Sequence, residues 1–232
     1  MAKVVFHTAV DYSGISISVW LNAVVVNSTP TEITLVSGEY ATSVFGEGLG
    51  FKPGKGFTGV VSGFTAFQSE DPKFTVSKLS VDLERVMANS SDPVELLKLF
   101  FNGKDQIIGS EFGDVLMGFG SKDSLNGGAG DDSLIGGAGR DNLTGGDGAD
   151  RFVYLERTDA TRGAPDLITD LGETDLIDLS RISLGVEGTV IGSYDAVADR
   201  TTFRIDLDND GKADMVIQAM GERTGYIDQF IF

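Results

Sequence analysis

A large apolar residue recurs at every ninth position through the middle of the chain. Between residues 100 and 153 it is the eighth residue of each of six consecutive nine-residue segments. It follows an Asp by two places, which predicts that it points inward from a very short strand. One such strand cannot bury its own apolar residue, so the pattern predicts stacked copies that share a continuous core.

Glycine and aspartate hold fixed places in the same frame. Three copies are complete, and they read GGAGDDSLI, GGAGRDNLT and GGDGADRFV from Gly127 to Val153. Gly stands at positions one, two and four, and Asp stands at position six. The three preceding copies keep the Asp and the apolar residue but lose glycines, and they begin at Phe100, Gly109 and Gly118.

This combination of residues favours calcium. Glycine runs allow positive φ and tight turns that direct backbone carbonyls to one side. The Asp after each turn adds carboxylate oxygens. Hard oxygen ligands, six to eight at a time, are what Ca²⁺ takes in proteins.

The nonapeptide is the known signature of a calcium-binding parallel β-helix, and it resembles the hemolysin-type repeat of RTX (repeats-in-toxin) proteins. The resemblance implies a mainly β fold, with a right-handed parallel β-roll over residues 100–180. Residues 181–232 are similar to the C-terminal β extension of serralysin-type exoproteins. Residues 1–99 are expected to form a small α+β module.

The resemblance also implies a ligand set. Loops two copies apart would share ions, which gives about four sites. The position-six carboxylates implied as ligands are Asp105, Asp114, Asp123, Asp132, Asp141 and Asp150. The implied carbonyl ligands are Gly128, Gly130, Gly137, Gly139, Gly146 and Gly148, and Asp159 and Asp166 are candidates for further turns. Some loops depart from the pattern, and altered backbone geometry is expected at Phe101, Phe112, Phe119 and Ser121.

The amino-acid composition restricts the classes of partner that the protein can bind. The 232 residues carry a net charge of −17, which argues against nucleic acid or an anionic membrane surface. A solvated acidic surface is one explanation, but the Asp residues keep register, which favours neutralisation by calcium. The chain has no Cys, which excludes disulfides and Cys-ligated zinc. No apolar run has the length of a membrane span.

Localisation rests on the resemblance. The first residues lack the long apolar region of a secretory signal peptide, which alone would predict a cytosolic protein. RTX proteins usually leave bacteria through a type I system that reads an uncleaved C-terminal signal, so we expect a secreted, extracellular protein. The ending DQFIF resembles such signals, and it also predicts a last strand that closes a sheet.

The N-terminal region carries mostly strand patterns. Strands are predicted at residues 4–6, 15–20, 24–26, 32–36 and 56–68, with a glycine-rich loop or hairpin over residues 46–56. Leu79, Leu83, Val86 and Met87 share one helical face, and Ser77 or Ser80 could cap that helix. A second helix, opened by Asp92 and Pro93, is expected to cap the first turn of the roll.

A second acidic motif lies near the C-terminus, between strands predicted at residues 201–207 and 214–218. Asp206, Asp208, Asp210 and Asp214 match ligand positions of an EF-hand loop, but Ile217 stands where its bidentate Glu belongs. The alternative is an acidic β-hairpin turn built on Asp210 and Gly211.

No catalytic signature is present. The single His cannot supply a His-Glu-x-x-His zinc site, and neither a Gly-x-Ser-x-Gly elbow nor a phosphate-binding loop occurs, so we expect no enzyme activity. The sequence predicts a secreted calcium-binding RTX protein whose N-terminal module binds an extracellular surface or polysaccharide. One alternative is the export and folding module of a larger exoenzyme or adhesin. A less favoured one is a haem carrier that uses His7 with Tyr12 or Tyr40.

Overall fold

The protein is represented by a computed structural model. It describes the backbone of six strands within the first 82 residues, and it describes residues 101, 103–182 and 188–232 in full. These parts are β-strands joined by turns, with a 3-10 helix at Tyr226–Gln229. Among the described residues, no helix is long and apolar enough to cross a membrane.

The N-terminal strands form an antiparallel run. They are β1 (Lys3–Phe6), β2 (Val24–Thr29), β3 (Glu32–Ser37), β4 (Tyr40–Lys52), β5 (Gly56–Gln68) and β6 (Asp71–Asp82). Strands β2 to β6 pair in sequence order, and β1 pairs with the far edge of β6.

Two expectations for this region are corrected. Residues 46–52 continue strand β4 up to a hairpin with β5, so the predicted glycine-rich loop is wrong, although the predicted hairpin is confirmed. Ser77 and Ser80 lie inside strand β6, so a helix cannot begin at either residue. Cross-strand pairing with β5 decides this segment over its helical spacing. The rest of that helix, the helix from Asp92 and the strand at residues 15–20 lie outside the described residues.

Short parallel strands follow. They are β7 (Gln106–Ile108), β8 (Val115–Met117), β9 (Ser124–Ala129), β10 (Ser133–Ile135), β11 (Asn142–Asp147), β12 (Arg151–Val153), β13 (Asp166–Ile168) and β14 (Leu176–Asp178). Odd-numbered strands pair in parallel in one sheet and even-numbered strands in a second, so the chain alternates between two sheets. Strand β1 also pairs in parallel with β7. The predicted parallel β-roll is confirmed.

The apolar residue at position eight fills the space between the two sheets. In the first sheet Ile107, Leu125, Leu143 and Ile168 are direct neighbours in register. In the second, Leu116, Leu134, Phe152 and Ile177 are neighbours in the same way. All eight are at most 1% exposed. Full burial of each such side chain contributes about 2 kcal/mol, which no single repeat achieves alone.

The C-terminal extension prolongs both sheets. Its strands are β15 (Thr189–Asp195), β16 (Arg200–Asp206), β17 (Met215–Met220) and β18 (Phe230–Ile231). Strand β17 pairs in parallel with β13, and β18 pairs in parallel with β14. The predicted closing strand is therefore confirmed. The boundaries of the three predicted domains stay predictions.

Candidate metal centre

The position-six aspartates form two ladders along the roll. The first ladder contains Asp105, Asp123, Asp141 and Asp166, and the second contains Asp114, Asp132, Asp150 and Asp175. Within each ladder, the backbone N–H of one Asp donates to Oδ1 of the next, at 2.7 to 3.0 Å. All eight side chains are 5% exposed or less. The alternation of the two sheets places loops two copies apart side by side, as the resemblance implies.

The long loop after β12 does not interrupt the first ladder. Most rungs are 18 residues apart, but Asp141 and Asp166 are 25 apart. The additional residues bulge out between β12 and β13, while β13 stays paired with β11. Residues beyond the glycine repeats thus continue the same stack, which confirms the predicted further turns.

One carboxylate oxygen remains without a hydrogen bond on every inner rung. Oδ1 accepts the ladder hydrogen bond, but Oδ2 is buried and has no partner among the described residues. The four inner rungs are Asp123, Asp132, Asp141 and Asp150. A buried carboxylate oxygen without a partner is costly, and native proteins almost always supply one. Stacked, buried oxygen donors fit a hard divalent cation such as Ca²⁺.

The glycines make room for this arrangement. A Cβ on Gly136 would lie 2.7 Å from Oδ2 of Asp141, so position one must lack a side chain. Gly128 and Gly146 adopt φ of +113° and +105°, a region that glycine enters without strain. The Gly128 carbonyl oxygen occupies the place where a Cβ of Gly146 would stand. Carbonyl and carboxylate oxygens therefore crowd the gap between neighbouring loops.

Five of the six glycines predicted to supply carbonyl ligands have positive φ. They are Gly128, Gly130, Gly137, Gly146 and Gly148. Gly139 does not, but the carbonyl of Ser121 fills the position of its missing Cβ. Gly128 and Gly146 lie near the ends of strands β9 and β11, and the other four lie in the turns between strands.

The electrostatics agree with the unpaired oxygens. Burial raises the pKa of Asp123 and of Asp166 to about 8, and that of Asp132 to about 7. Burial also raises the pKa of Asp141 and of Asp150 to about 6. The backbone donor on each rung partly offsets this effect, while neighbouring carboxylates add to it. Negative charge in the ladders is therefore unfavourable unless a cation balances it.

The two ends of the second ladder differ from its middle. Oδ2 of Asp114 accepts hydrogen bonds from the Ser110 backbone N–H at 2.6 Å and from its hydroxyl at 2.9 Å. Oδ2 of Asp175 accepts the Gly172 N–H at 2.7 Å. These donors partly satisfy the terminal carboxylates, so the inner rungs have the stronger demand for a cation.

The loop from Gly118 keeps positive φ at positions two and four, where Phe119 and Ser121 replace the glycines of the complete copies. Phe119 and Ser121 hold φ of +69° and +85°, which costs roughly 1 to 2 kcal/mol per residue for an L-amino acid. Phe119 stacks on Phe101 with ring centroids 6.1 Å apart, which offsets part of that cost. The expected change of backbone geometry is therefore not seen in this loop. Phe112 lacks the positive φ and is 51% exposed.

Asp159 organises the long loop after β12. It is 6% exposed, and its Oδ2 accepts the backbone N–H groups of Leu155 and Glu156, both at 2.9 Å. Its charge contributes to the raised pKa of Asp141 and of Asp166, which places it beside the end of the first ladder. It is a neighbour of the ladder and not a rung.

Two acidic residues were missed by the sequence analysis. Asp175 is the last rung of the second ladder, and the signal for it was the apolar Ile177 two places later. Asp170 accepts the backbone N–H groups of Gly145 and Gly146, both at 2.9 Å. No repeat position corresponds to Asp170, so only the tertiary structure reveals it.

The acidic turn near the C-terminus joins two antiparallel strands, so the predicted hairpin is confirmed. Carboxylate oxygens of Asp206, Asp208 and Asp210 lie within 4.8 Å of one another. Oδ2 of Asp206 accepts the Gly211 N–H at 2.8 Å, and Asp214 pairs with Arg157 at 3.3 Å. Backbone donors and one arginine thus stabilise this turn.

Comparison with known proteins assigns the C-terminal part. The model of the family described as peptidase M10 serralysin C terminal matches residues 102–232, more than half of the chain. No curated protein matches the chain. Similar solved structures include the R3 and R2 subunits, AlgE6R3 and AlgE6R2, of the mannuronan C5-epimerase from Azotobacter vinelandii. The R3 subunit is 30% identical in sequence, and the match covers 56% of this chain and 78% of the R3 chain, with a TM-score of 0.48. The R2 subunit is also 30% identical, and the match covers 56% of this chain and 89% of the R2 chain, with a TM-score of 0.43.

Proposed function

The chain belongs to the serralysin C-terminal family of RTX-type calcium-binding β-rolls, and on that premise we propose that it is a secreted bacterial protein whose roll folds on calcium after type I export. The family is the non-catalytic part of serralysin peptidases, which supports a role without enzyme activity. The observation that carries the proposal is the row of buried Oδ2 atoms without partners in the two ladders.

We assign the ligands to the ladder loops. The position-six carboxylates would hold the ions together with the loop carbonyls of Gly128, Gly130, Gly137, Gly139, Gly146 and Gly148. Bound calcium would supply the positive charge that balances the buried carboxylates and would join neighbouring loops. Four rungs in each ladder enclose three gaps, so two ladders offer six gaps. We propose at least four ions, in the gaps between the repeat loops themselves.

The energetic consequence is large. Extracellular calcium modules have dissociation constants of about 10⁻⁴ to 10⁻³ M. At a calcium concentration about tenfold higher, each site adds roughly 1.4 kcal/mol to stability. Four sites then contribute about 6 kcal/mol, comparable to the entire stability of a small domain. This stabilisation is absent in a calcium-poor cytosol, which keeps the roll unfolded for export.

Circular dichroism and native mass spectrometry test the proposal together. In EDTA we expect the far-ultraviolet spectrum of the full chain to lose the part of its β signal that the roll contributes. Added calcium should restore that part. Native mass spectrometry should then count at least four bound calcium ions. A spectrum and melting temperature that do not respond to calcium would contradict the proposal, as would magnesium restoring the fold equally well.

The N-terminal module would give the protein its target. We propose that residues 1–99 bind an extracellular surface or polysaccharide, which a glycan array of the full chain tests in calcium. A chain that binds no glycan and no bacterial surface would overturn this part without affecting calcium-dependent folding.

A second candidate follows from the family assignment. Because the matched family is the C-terminal part of exported peptidases, residues 102–232 would serve as an export and folding module for a larger exoenzyme or adhesin. Fusion of these residues to a cytosolic reporter tests this in a host that has a type I exporter. Export of the reporter supports the candidate, and retention in the cytosol contradicts it.

A further inference from the structure

The roll has two edges, where the chain turns from one sheet to the other. Loops that lead into strands of the first sheet form one edge, and loops that lead into strands of the second sheet form the other. We call the first of them the basic edge, which comprises residues 103–105, 118–123, 136–141 and 161–166. The second is the acidic edge, which comprises residues 109–114, 127–132, 145–150 and 170–175. The names follow from the charges that each edge exposes.

The basic edge exposes one cation on each of four successive rungs. Apart from the buried ladder Asp that ends each loop, its loops contain no acidic residue. The exposed cations are Lys104, Lys122, Arg140 and Arg162. Within the described part of the chain, none of the four forms an ion pair. The strands that follow these loops pair directly with one another, so neighbouring loops are roughly 4.8 Å apart along the roll.

The acidic edge has the opposite composition. None of its loops contains a Lys or an Arg, and each exposes a carboxylate in addition to its buried ladder Asp. These exposed acids are Glu111, Asp131, Asp147 and Glu173. The strands that follow them also pair in order, which gives the acids the same spacing along the roll. The two rows therefore match in number and spacing and are opposite in charge.

A second copy of this chain offers a surface that fits both rows. When two rolls lie side by side with parallel axes, the acidic edge of one meets the basic edge of the other rung by rung. A two-fold axis at the contact would instead bring like edges together, so the complementary contact is head-to-tail and leaves one edge of each kind open. We propose that folded rolls associate side by side through these edges, and that further copies add in the same way.

Salt decides whether the whole-chain charge or the edges dominate. The net charge of −17 opposes association at long range. At about 0.1 M salt the Debye length is about 10 Å, so the repulsion between distant charges is screened while opposite charges at the contact still attract. At about 1 M salt the Debye length falls to about 3 Å, and the attraction between exposed edges is screened as well.

Sedimentation velocity of the full chain in calcium measures this association. Exposed ion pairs are individually weak, so at about 0.1 M salt we expect the mean mass to rise between about 0.1 and 1 mM protein, and the chain to be monomeric at about 1 M salt. Arg140→Glu turns one attraction into a repulsion and should weaken association about fivefold. Arg204→Glu is the matched control, because both exposed guanidinium groups donate to one neutral oxygen at 3.2 Å, but Arg204 lies on β16 outside both edges. It should change association less than about twofold.

Exchange of charge between the two edges gives the sharper test. Asp147→Lys reverses the charge on the same rung of the acidic edge and should weaken association by a similar factor. An equimolar mixture of Arg140→Glu and Asp147→Lys should associate again, because each altered edge then meets a charge of the opposite sign. Circular dichroism in calcium should be the same for every variant. If Arg140→Glu does not fold, Arg162→Glu with Glu173→Lys provides the same test on the next rung.

Several results would overturn the proposal. They are a mixture no stronger than its separate components, an Arg140→Glu chain that associates as the unaltered chain does, and an equal loss in Arg204→Glu. Association that persists at about 1 M salt would show that charge does not drive it. A chain that stays monomeric at about 0.1 M salt but still responds to calcium would overturn this assembly and leave the calcium proposal intact.

Discussion

Asp141→Asn removes one negative charge from the middle of the first ladder and leaves the size of the side chain unchanged. The new amide keeps an oxygen that accepts the Asp123 N–H, which is 2.7 Å from Oδ1 of Asp141 in the present structure. Only the unpartnered Oδ2 is replaced, by an amide nitrogen that cannot ligate calcium. The substitution therefore separates the hydrogen-bond role of the ladder from its charge.

The expected effect changes sign with calcium. Burial raises the pKa of Asp141 to about 6, so at about pH 8 its ionised form is unfavourable in the calcium-free fold. Without calcium, the variant should be as stable as the unaltered chain or more stable. With calcium about tenfold above its dissociation constant, loss of the two gaps that flank Asp141 should cost about 3 kcal/mol. For a roll of this size, that corresponds to a fall in Tm of about 10 °C.

Thermal melts followed by circular dichroism, in EDTA and in calcium, measure both effects. Asp147→Asn is the control, because Asp147 is exposed and does not belong to a ladder. This substitution removes the same charge from the same roll. It should lower Tm by no more than about 2 °C, as surface substitutions usually do. An equal loss of Tm by Asp141→Asn in both conditions would mean that the ladder is structural only, and the calcium assignment would fail.

Two further predictions follow from the same geometry. Because Asp123, Asp132 and Asp166 have folded-state pKa values of about 7 to 8, above the usual 3.8, the calcium-free fold binds more protons than the unfolded chain does. Its stability should therefore fall as pH rises from about 4 to about 8, and melts in EDTA at about pH 5 and pH 8 check this; a flat profile would contradict the raised values. Gly136→Ala places a Cβ 2.7 Å from Asp141 Oδ2 and should cost about 1 to 3 kcal/mol in calcium. Gly163→Ala meets nothing within 4 Å and should be neutral, so equal melting of the two variants would exclude the steric argument.

The nine-residue period predicted the roll because it encodes both structure and stacking. Each repeat specifies one inward residue, such as Leu134, and one Asp at a fixed distance before it. The resemblance to the RTX roll adds that successive copies alternate sides, which makes residues 18 apart in sequence neighbours. The ladder from Asp114 to Asp150 and the apolar stacks were therefore predictable from the spacing together with that resemblance.

Local spacing failed where pairing with distant residues decides the outcome. Leu79 lies at helical intervals from Leu83 and Val86, yet Asp71–Asp82 is a strand because β5 pairs along it. The glycines of residues 46–52 suggested a loop, but the same pairing extends β4 through them. In both cases the backbone hydrogen bonds of a neighbouring strand outweigh local preference.

The sequence by itself determined that the repeats stack, that their chemistry favours calcium and which partners the charge disfavours, because a repeat that cannot bury its own core must pack on its neighbours. The resemblance to RTX repeats supplied the two-sheet form of the roll. Only the tertiary structure decided where the ladders end and which carboxylates lack a partner. Asp175 joins the second ladder although its loop lacks the glycine pattern, and Ser110 satisfies Asp114 while Asp132 keeps a free oxygen. Such relations arise from which strands become neighbours across long stretches of chain, and a local pattern carries no record of them.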